Sequence, residues 1–150
     1  MPDFLQHPDT SFPVGVEYYR APIPRADVWE ADFARIRAAG LRIVRSFSFW
    51  NWMEPAPGRY ELDDFDRLFD LAEKHELFVW LDITLATHGA CPEWLTRQYP
   101  DLRAVDHRDQ PCTPHAGAAA PQGSMIHCYD HPAWRRWGGD LLRHVVERYK

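Results

Sequence analysis

The sequence predicts an α/β protein in which strands and helices alternate around a parallel sheet. Three observations carry this. Short apolar runs rich in β-branched residues recur at Phe12–Tyr19, Leu41–Phe47 and Leu77–Thr84. Between and after them, apolar residues repeat at helical spacing. The stretches following the strands carry the polar and aromatic residues, as in folds whose working loops lie beyond the carboxyl ends of parallel strands.

Taken in order, Val14, Val16 and Tyr18 alternate with polar or small residues after Pro13, which marks a first short strand. Pro22 and Pro24 turn the chain. Asp27, with Glu30 three residues on, forms an acidic version of a capping box. Trp29, Phe33 and Ile36 then define a helix over about 27–39, with Gly40 placed to end it in a left-handed conformation. Leu41–Phe47 is the second strand, and Phe47–Tyr60 the loop after it. A second helix begins near Asp63 with the stripe Phe65, Leu68, Phe69 and Ala72. Its exit is atypical, with Glu76 where a glycine is expected. Leu77–Thr84 is apolar enough for a strand buried on both faces. A long connection over 85–131 contains a short helix at Pro92–Tyr99 and an Ala/Pro-rich excursion at Ala116–Pro121. Asp130 or His131 caps a last helix with Pro132 in its first turn, whose buried side comprises Trp134, Trp137, Leu141, Val145 and Tyr149.

A doubly wound nucleotide fold wants a glycine-rich turn after its first strand, and Tyr18-Tyr-Arg-Ala-Pro22 is not one. The alternative closure is a (β/α)₈ barrel, of which this chain holds the first three βα units. A whole barrel takes roughly 250 residues, so residues 1–150 form the N-terminal portion of one such domain, incomplete as it stands. The composition is that of a cored domain, 45% hydrophobic and 14% aromatic. A net charge of −5 supplies no basic face and argues against nucleic acid as partner. No apolar run reaches the length of a membrane span. The opening residues lack a signal-peptide pattern and the three cysteines form no disulfide framework, so the expected compartment is the cytoplasm.

Three carboxylates, Glu17, Glu54 and Asp82, lie at or near strand ends. Glycoside hydrolysis places two carboxyl groups across one bond. The competing role is pairing with arginines such as Arg42 and Arg45, and Glu54, directly before Pro55, suits an anchor for its own loop. Trp50, Trp52, Trp80 and Trp94 have rings that could pack on a sugar; Trp29, Trp80, Trp134 and Trp137 read as core. Trp50 and Trp52, with Asn51 between them, are the loop pair of which at least one is assigned to a ligand pocket. All three cysteines and five of the eight histidines fall between His88 and His131. His88/Cys91 and Cys128/His131 each offer two soft ligands three residues apart, as partial zinc sites do.

Val14-Gly-Val-Glu-Tyr-Tyr19, Trp29-Glu-Ala-Asp32, Ala39-Gly-Leu-Arg-Ile-Val-Arg45, Trp50-Asn-Trp-Met-Glu-Pro-Ala-Pro-Gly-Arg-Tyr60 and Pro92-Glu-Trp-Leu-Thr-Arg-Gln-Tyr-Pro100 come in an order that resembles glycoside hydrolase family 42, mainly β-galactosidases. The Trp-to-Gly motif is shared with related families such as family 35; Pro92–Pro100 and Cys128-Tyr-Asp-His-Pro132 favour family 42. The resemblance implies a retaining hydrolase of terminal β-D-galactosides in carbohydrate metabolism. Both of its catalytic glutamates would lie beyond Lys150, so no catalytic residue is assigned in this chain, which alone is expected to be inactive. Trp50, Asn51 and Asp82 are the expected substrate contacts, facing a galactoside or oligosaccharide. Many members bind structural zinc through four cysteines, the first matching Cys128, and no cofactor is required for catalysis. The full-length protein as a homo-oligomer stays open beside a monomer. Where the family often carries a sugar-contacting arginine, four residues before that cysteine, this chain has Ser124. The alternatives are a related glycosidase acting on another β-glycoside, and a non-catalytic sugar- or metal-binding module.

Overall fold

The computed structural model describes residues 14–19, 24–85, 90–112 and 126–150. Strand β1 is Gly15–Glu17, helix α1 Trp29–Ala38, β2 Ile43–Phe49, α2 Trp50–Met53, α3 Asp63–Lys74, β3 Phe78–Thr84, α4 Glu93–Gln98 and α5 Pro132–Tyr149. The strands form a sheet in the order β1-β2-β3. β1 and β2 run parallel, with Gly15 opposite Ile43 and Glu17 opposite Arg45. The α/β class with parallel strands is therefore what the chain adopts. No helix among the described residues is long and apolar enough to cross a membrane.

The chain divides into two compact units, Met1–Phe47 with Asp64–Asp82, and Ser48–Asp63 with Ile83–Lys150. In the first, Tyr18, Trp29, Phe33, Val44, Leu68, Leu71, Ala72 and Leu77 bury one apolar cluster. These are the positions at helical and strand spacing, so the pattern that marks the elements also packs them. Tyr18 meets Phe33 edge-to-face at 5.2 Å. Burial, and then the hydrogen bond its hydroxyl donates to Asp32, push the phenol's pKa up. Gly15 lies so close to β2 that a Cβ there would stand 2.7 Å from that of Ile43.

Some expectations change here. The capping box is not formed: residues Ala26–Val28 wind into a 3₁₀ turn ahead of α1, and Asp27 pairs with Arg25 at 3.1 Å instead. Gly40 does end α1 with φ of +82°. Glu76 takes the same left-handed region at +53°, so the exit of α3 uses the glycine conformation without the glycine. Arg37 meets its carboxylate at 2.9 Å. β3 is not buried on both faces. Val79 packs against the apolar cluster, whereas Trp80, read as core, points to the opposite face and is 60% exposed.

In the second unit the loop expected over Phe47–Tyr60 is shorter and more ordered. β2 runs on to Phe49 and passes directly into α2, whose Trp50 and Met53 are fully buried. The last helix is capped by His131 rather than Asp130: its Nδ1 accepts from Ala133 N at 3.2 Å, while Asp130 pairs with Arg135. Leu141 and Val145 of the expected stripe are buried, with Ala133 and Gly138 beside them. Tyr60 stacks on His144 at 4.0 Å, fixing α5 against the turn after α2. The excursion at 116–121 lies outside the described residues.

Candidate functional site

In the second unit, directed side chains converge on α2 and the residue that follows it. Because β2 leads into α2 without a linker, the four residues Trp50–Met53 turn back on themselves at once. Glu54 closes that turn. Its carboxylate accepts from the Trp50 indole at 2.7 Å and from the Gly58 amide at 2.8 Å. Gly58 sits at φ +70°, a conformation that favours glycine. Burial raises the Glu54 carboxyl above its ordinary value, and the two donated hydrogen bonds oppose that rise. The Trp94 indole of α4 donates to the Glu54 carbonyl at 2.9 Å, and Asn51 N to the Ala90 carbonyl at 2.7 Å.

These bonds hold α2 and α4 on either side of a groove of about 680 Å³, lined among others by Asn51, Pro55, Cys91, Trp94, Arg97 and Gln98. Its size falls within the range of small-molecule sites. Burial pushes the Cys91 thiol up to about 12, so the groove's floor is uncharged near neutrality. Arg97 and Glu93 pair at 2.6 Å, cancelling each other's charge at the rim. An aromatic ring, two amides and no net charge suit a neutral, hydroxyl-bearing ligand.

The sequence-predicted residues are distributed unevenly. Asn51 lines the groove. Trp50 is 0% exposed and meets Trp134 edge-on at 6.3 Å, so its ring supports the α2 wall from behind. Trp52 is 47% exposed. Asp82 belongs to the first unit, where Arg45 bridges it at 2.6 Å and Glu17 at 3.6 Å. The arginine pairing set against catalysis is thus the arrangement found for both acids. The Arg45 guanidinium also lies 4.5 Å from the ring centre of Phe47. Trp94, one of the rings read as able to pack on a sugar, lines the groove, and Glu93, Arg97 and Gln98 join it from the 85–131 connection expected to frame the pocket, though none of these three was singled out by residue. Their spacing of three and four residues on one short helix was the available signal.

Cys128 is a half-buried free thiol whose backbone N–H donates to Leu102 O at 2.8 Å. Its expected partner His131 is occupied, with Nδ1 in the α5 cap and Nε2 toward Asp101 at 3.3 Å. His88 lies outside the described residues. No group of three or more His, Cys, Asp or Glu side chains among the described residues is arranged to hold a metal. A tetrahedral structural zinc takes four ligands, so these residues do not make up a zinc site by themselves.

The profile of glycoside hydrolase family 42, described as beta-galactosidase, matches residues 17–150. The chain is 33% identical over 138 residues to the beta-galactosidase BgaA of a Thermus species, covering 91% of this chain and 20% of that protein. It is 32% identical over the same length to a beta-galactosidase of Thermus thermophilus, again covering 91% and 20%. Among solved structures, the polyextremophilic beta-galactosidase of the haloarchaeon Halorubrum lacusprofundi matches with a TM-score of 0.72 and 26% identity, over 92% of this chain and 19% of that one. The chain therefore spans about one fifth of the length of these relatives.

Proposed function

The chain belongs to glycoside hydrolase family 42, and on that footing we propose that it is the N-terminal part, the first three βα units of a (β/α)₈ barrel, of a retaining β-galactosidase acting on terminal β-D-galactosides. The observation that carries this reading is the family match across residues 17–150, supported by the Thermus relatives over 91% of the chain. The structural likeness to the Halorubrum enzyme covers 92% of it.

Retaining hydrolysis needs two carboxyl groups about 5 Å apart, one as nucleophile and one as acid and base. The three acids at or near strand ends are otherwise engaged. Glu54 is buried and accepts two N–H groups. Glu17 and Asp82 are held by one guanidinium. The family resemblance implies that both catalytic glutamates lie beyond Lys150, and neither role is assigned to these three acids. Within this chain, Asn51 supplies an amide that can hydrogen-bond a sugar hydroxyl, and Trp50 holds the wall that presents it. Asp82, oriented by Arg45, is proposed as a hydroxyl acceptor on the first unit. Cys128 is proposed as the first of the four cysteine ligands of a structural zinc, the other three being absent from residues 1–150, and no step of hydrolysis passes through it. The free thiols Cys91, Cys112 and Cys128 fit a reducing compartment such as the cytoplasm.

A chromogenic β-galactoside assay tests the reading. Residues 1–150 alone are expected to give no hydrolysis, and the enzyme carrying them at its N-terminus is expected to release the galactose. Turnover by residues 1–150 alone would overturn the assignment of the glutamates. Activity of the longer protein on β-mannosides or β-glucosides, but not β-galactosides, would overturn the substrate.

A further inference from the structure

Glu54 bonds to both helices that flank the groove, α2 and α4, yet is itself 0% exposed. On one side, its carboxylate holds Trp50 and Gly58, and its N–H donates to the Trp50 carbonyl at 2.8 Å. Those bonds fix the turn that carries Asn51 and Pro55, both groove-lining. On the other side, its carbonyl receives the Trp94 indole, which fixes α4 and with it Arg97 and Gln98. We propose that Glu54 is a positioning residue for substrate binding: a single buried residue sets both walls of the groove, and affinity for the sugar depends on it although it never meets the ligand. The proposal rests on the β-galactosidase reading for its ligand and on the hydrogen-bond geometry for the rest.

The chemistry singles out glutamate at this position. Both carboxylate oxygens face N–H donors, so the site calls for two acceptors. Glutamine offers one acceptor and one NH₂, and whichever way its amide turns, a donor meets a donor. Aspartate keeps both acceptors on a stem one methylene shorter, and can restore part of the geometry.

The test compares Glu54→Gln and Glu54→Asp in the galactosidase carrying this chain, by steady-state kinetics and by the indole N–H resonances of ¹⁵N-tryptophan-labelled protein. The glutamine variant is expected to raise KM about tenfold with kcat within about threefold, the signature of lost binding rather than lost chemistry. The aspartate variant should recover part of that loss. The Trp94 indole bonds the backbone carbonyl of residue 54, which both variants keep, so it reports displacement of the turn: its hydrogen exchange should quicken at least about tenfold, while the Trp29 indole of the first unit, bonded to the Pro24 carbonyl, keeps its rate. An unchanged KM with an unchanged Trp94 indole would overturn the proposal. So would exchange that quickens equally at Trp29 and Trp94, since that reports general loosening. Should the glutamine variant not fold, the aspartate variant carries the same readouts at reduced amplitude. If the wild-type enzyme cleaves no galactoside, the functional reading falls, and the contrast between Trp94 and Trp29 still decides the positioning role.

Discussion

The two units differ in how much directed bonding is added to their apolar packing. The first is a cluster of aliphatic and aromatic side chains at regular spacing, with Phe33 and Val44 fully buried and Tyr18 packed edge-on against Trp29 and Phe33. Such contacts are non-directional and tolerate a change of shape if volume is kept. The second also buries Met53, Leu95, Leu102 and Leu141, and adds directed bonds converging on Glu54, two of them from indole N–H groups, with the edge-to-face pairs Trp50–Trp134 and Trp94–Trp137 as braces. Directed bonds tolerate little, because a buried donor without its acceptor costs the full price of its desolvation. The first unit should therefore respond chiefly to lost volume, and the second to lost acceptors as well.

The largest effect is expected from Phe33→Ala, which empties a fully buried ring site and should lower stability in urea unfolding by about 3–5 kcal/mol. Phe33→Leu should cost far less, and an equal cost for both would break the contrast. In the second unit, Glu54→Ala strips the acceptors from the Trp50 and Gly58 donors and should cost about 3 kcal/mol. Gly15→Ala drives a methyl against Ile43 and should cost about 1–3 kcal/mol as overpacking.

The pH dependence of Glu54 sharpens the same comparison. A folded pKa raised by burial means that the folded state favours the proton more than the unfolded state does. The stability this group contributes is fully present below its unfolded value, and is lost as pH rises through the folded one. Since glutamine does not titrate, the penalty of Glu54→Gln should shrink between pH 4 and pH 7, as read by urea unfolding at each pH. A penalty that grows over that interval would mean that the two donated bonds outweigh burial. The smallest effect has the opposite sign. A Cβ on Gly139 would meet nothing within 4 Å, so Gly139→Ala within α5 should add about 0.5–1 kcal/mol.

The same difference explains how much the sequence revealed. Helices α1 and α3 were legible from apolar residues at helical spacing, β2 and β3 as apolar runs and the α1 exit from Gly40, although burial alternates strictly in β2 and not in β3. Glu54 as an anchor of its own loop was legible from the adjoining proline, and it accepts two N–H groups of that loop. What escaped was set by contacts distant in sequence. Trp80 looked like core because its neighbours are apolar, but it points away from the cluster its strand packs against. The role of Trp94 depends on a carbonyl forty residues earlier, and no local pattern encodes that.

The two left-handed helix exits in the first unit carry a practical consequence. Gly40 adopts that conformation at no steric cost, while Glu76 adopts it with a side chain, at roughly 1–2 kcal/mol. The surface pair with Arg37 returns no more than about 1 kcal/mol of that. Glycine at 76 is one nucleotide away from a glutamate codon. The α3 exit is thus an accessible route by which selection, or an engineer, could raise the heat tolerance of this unit without altering its core.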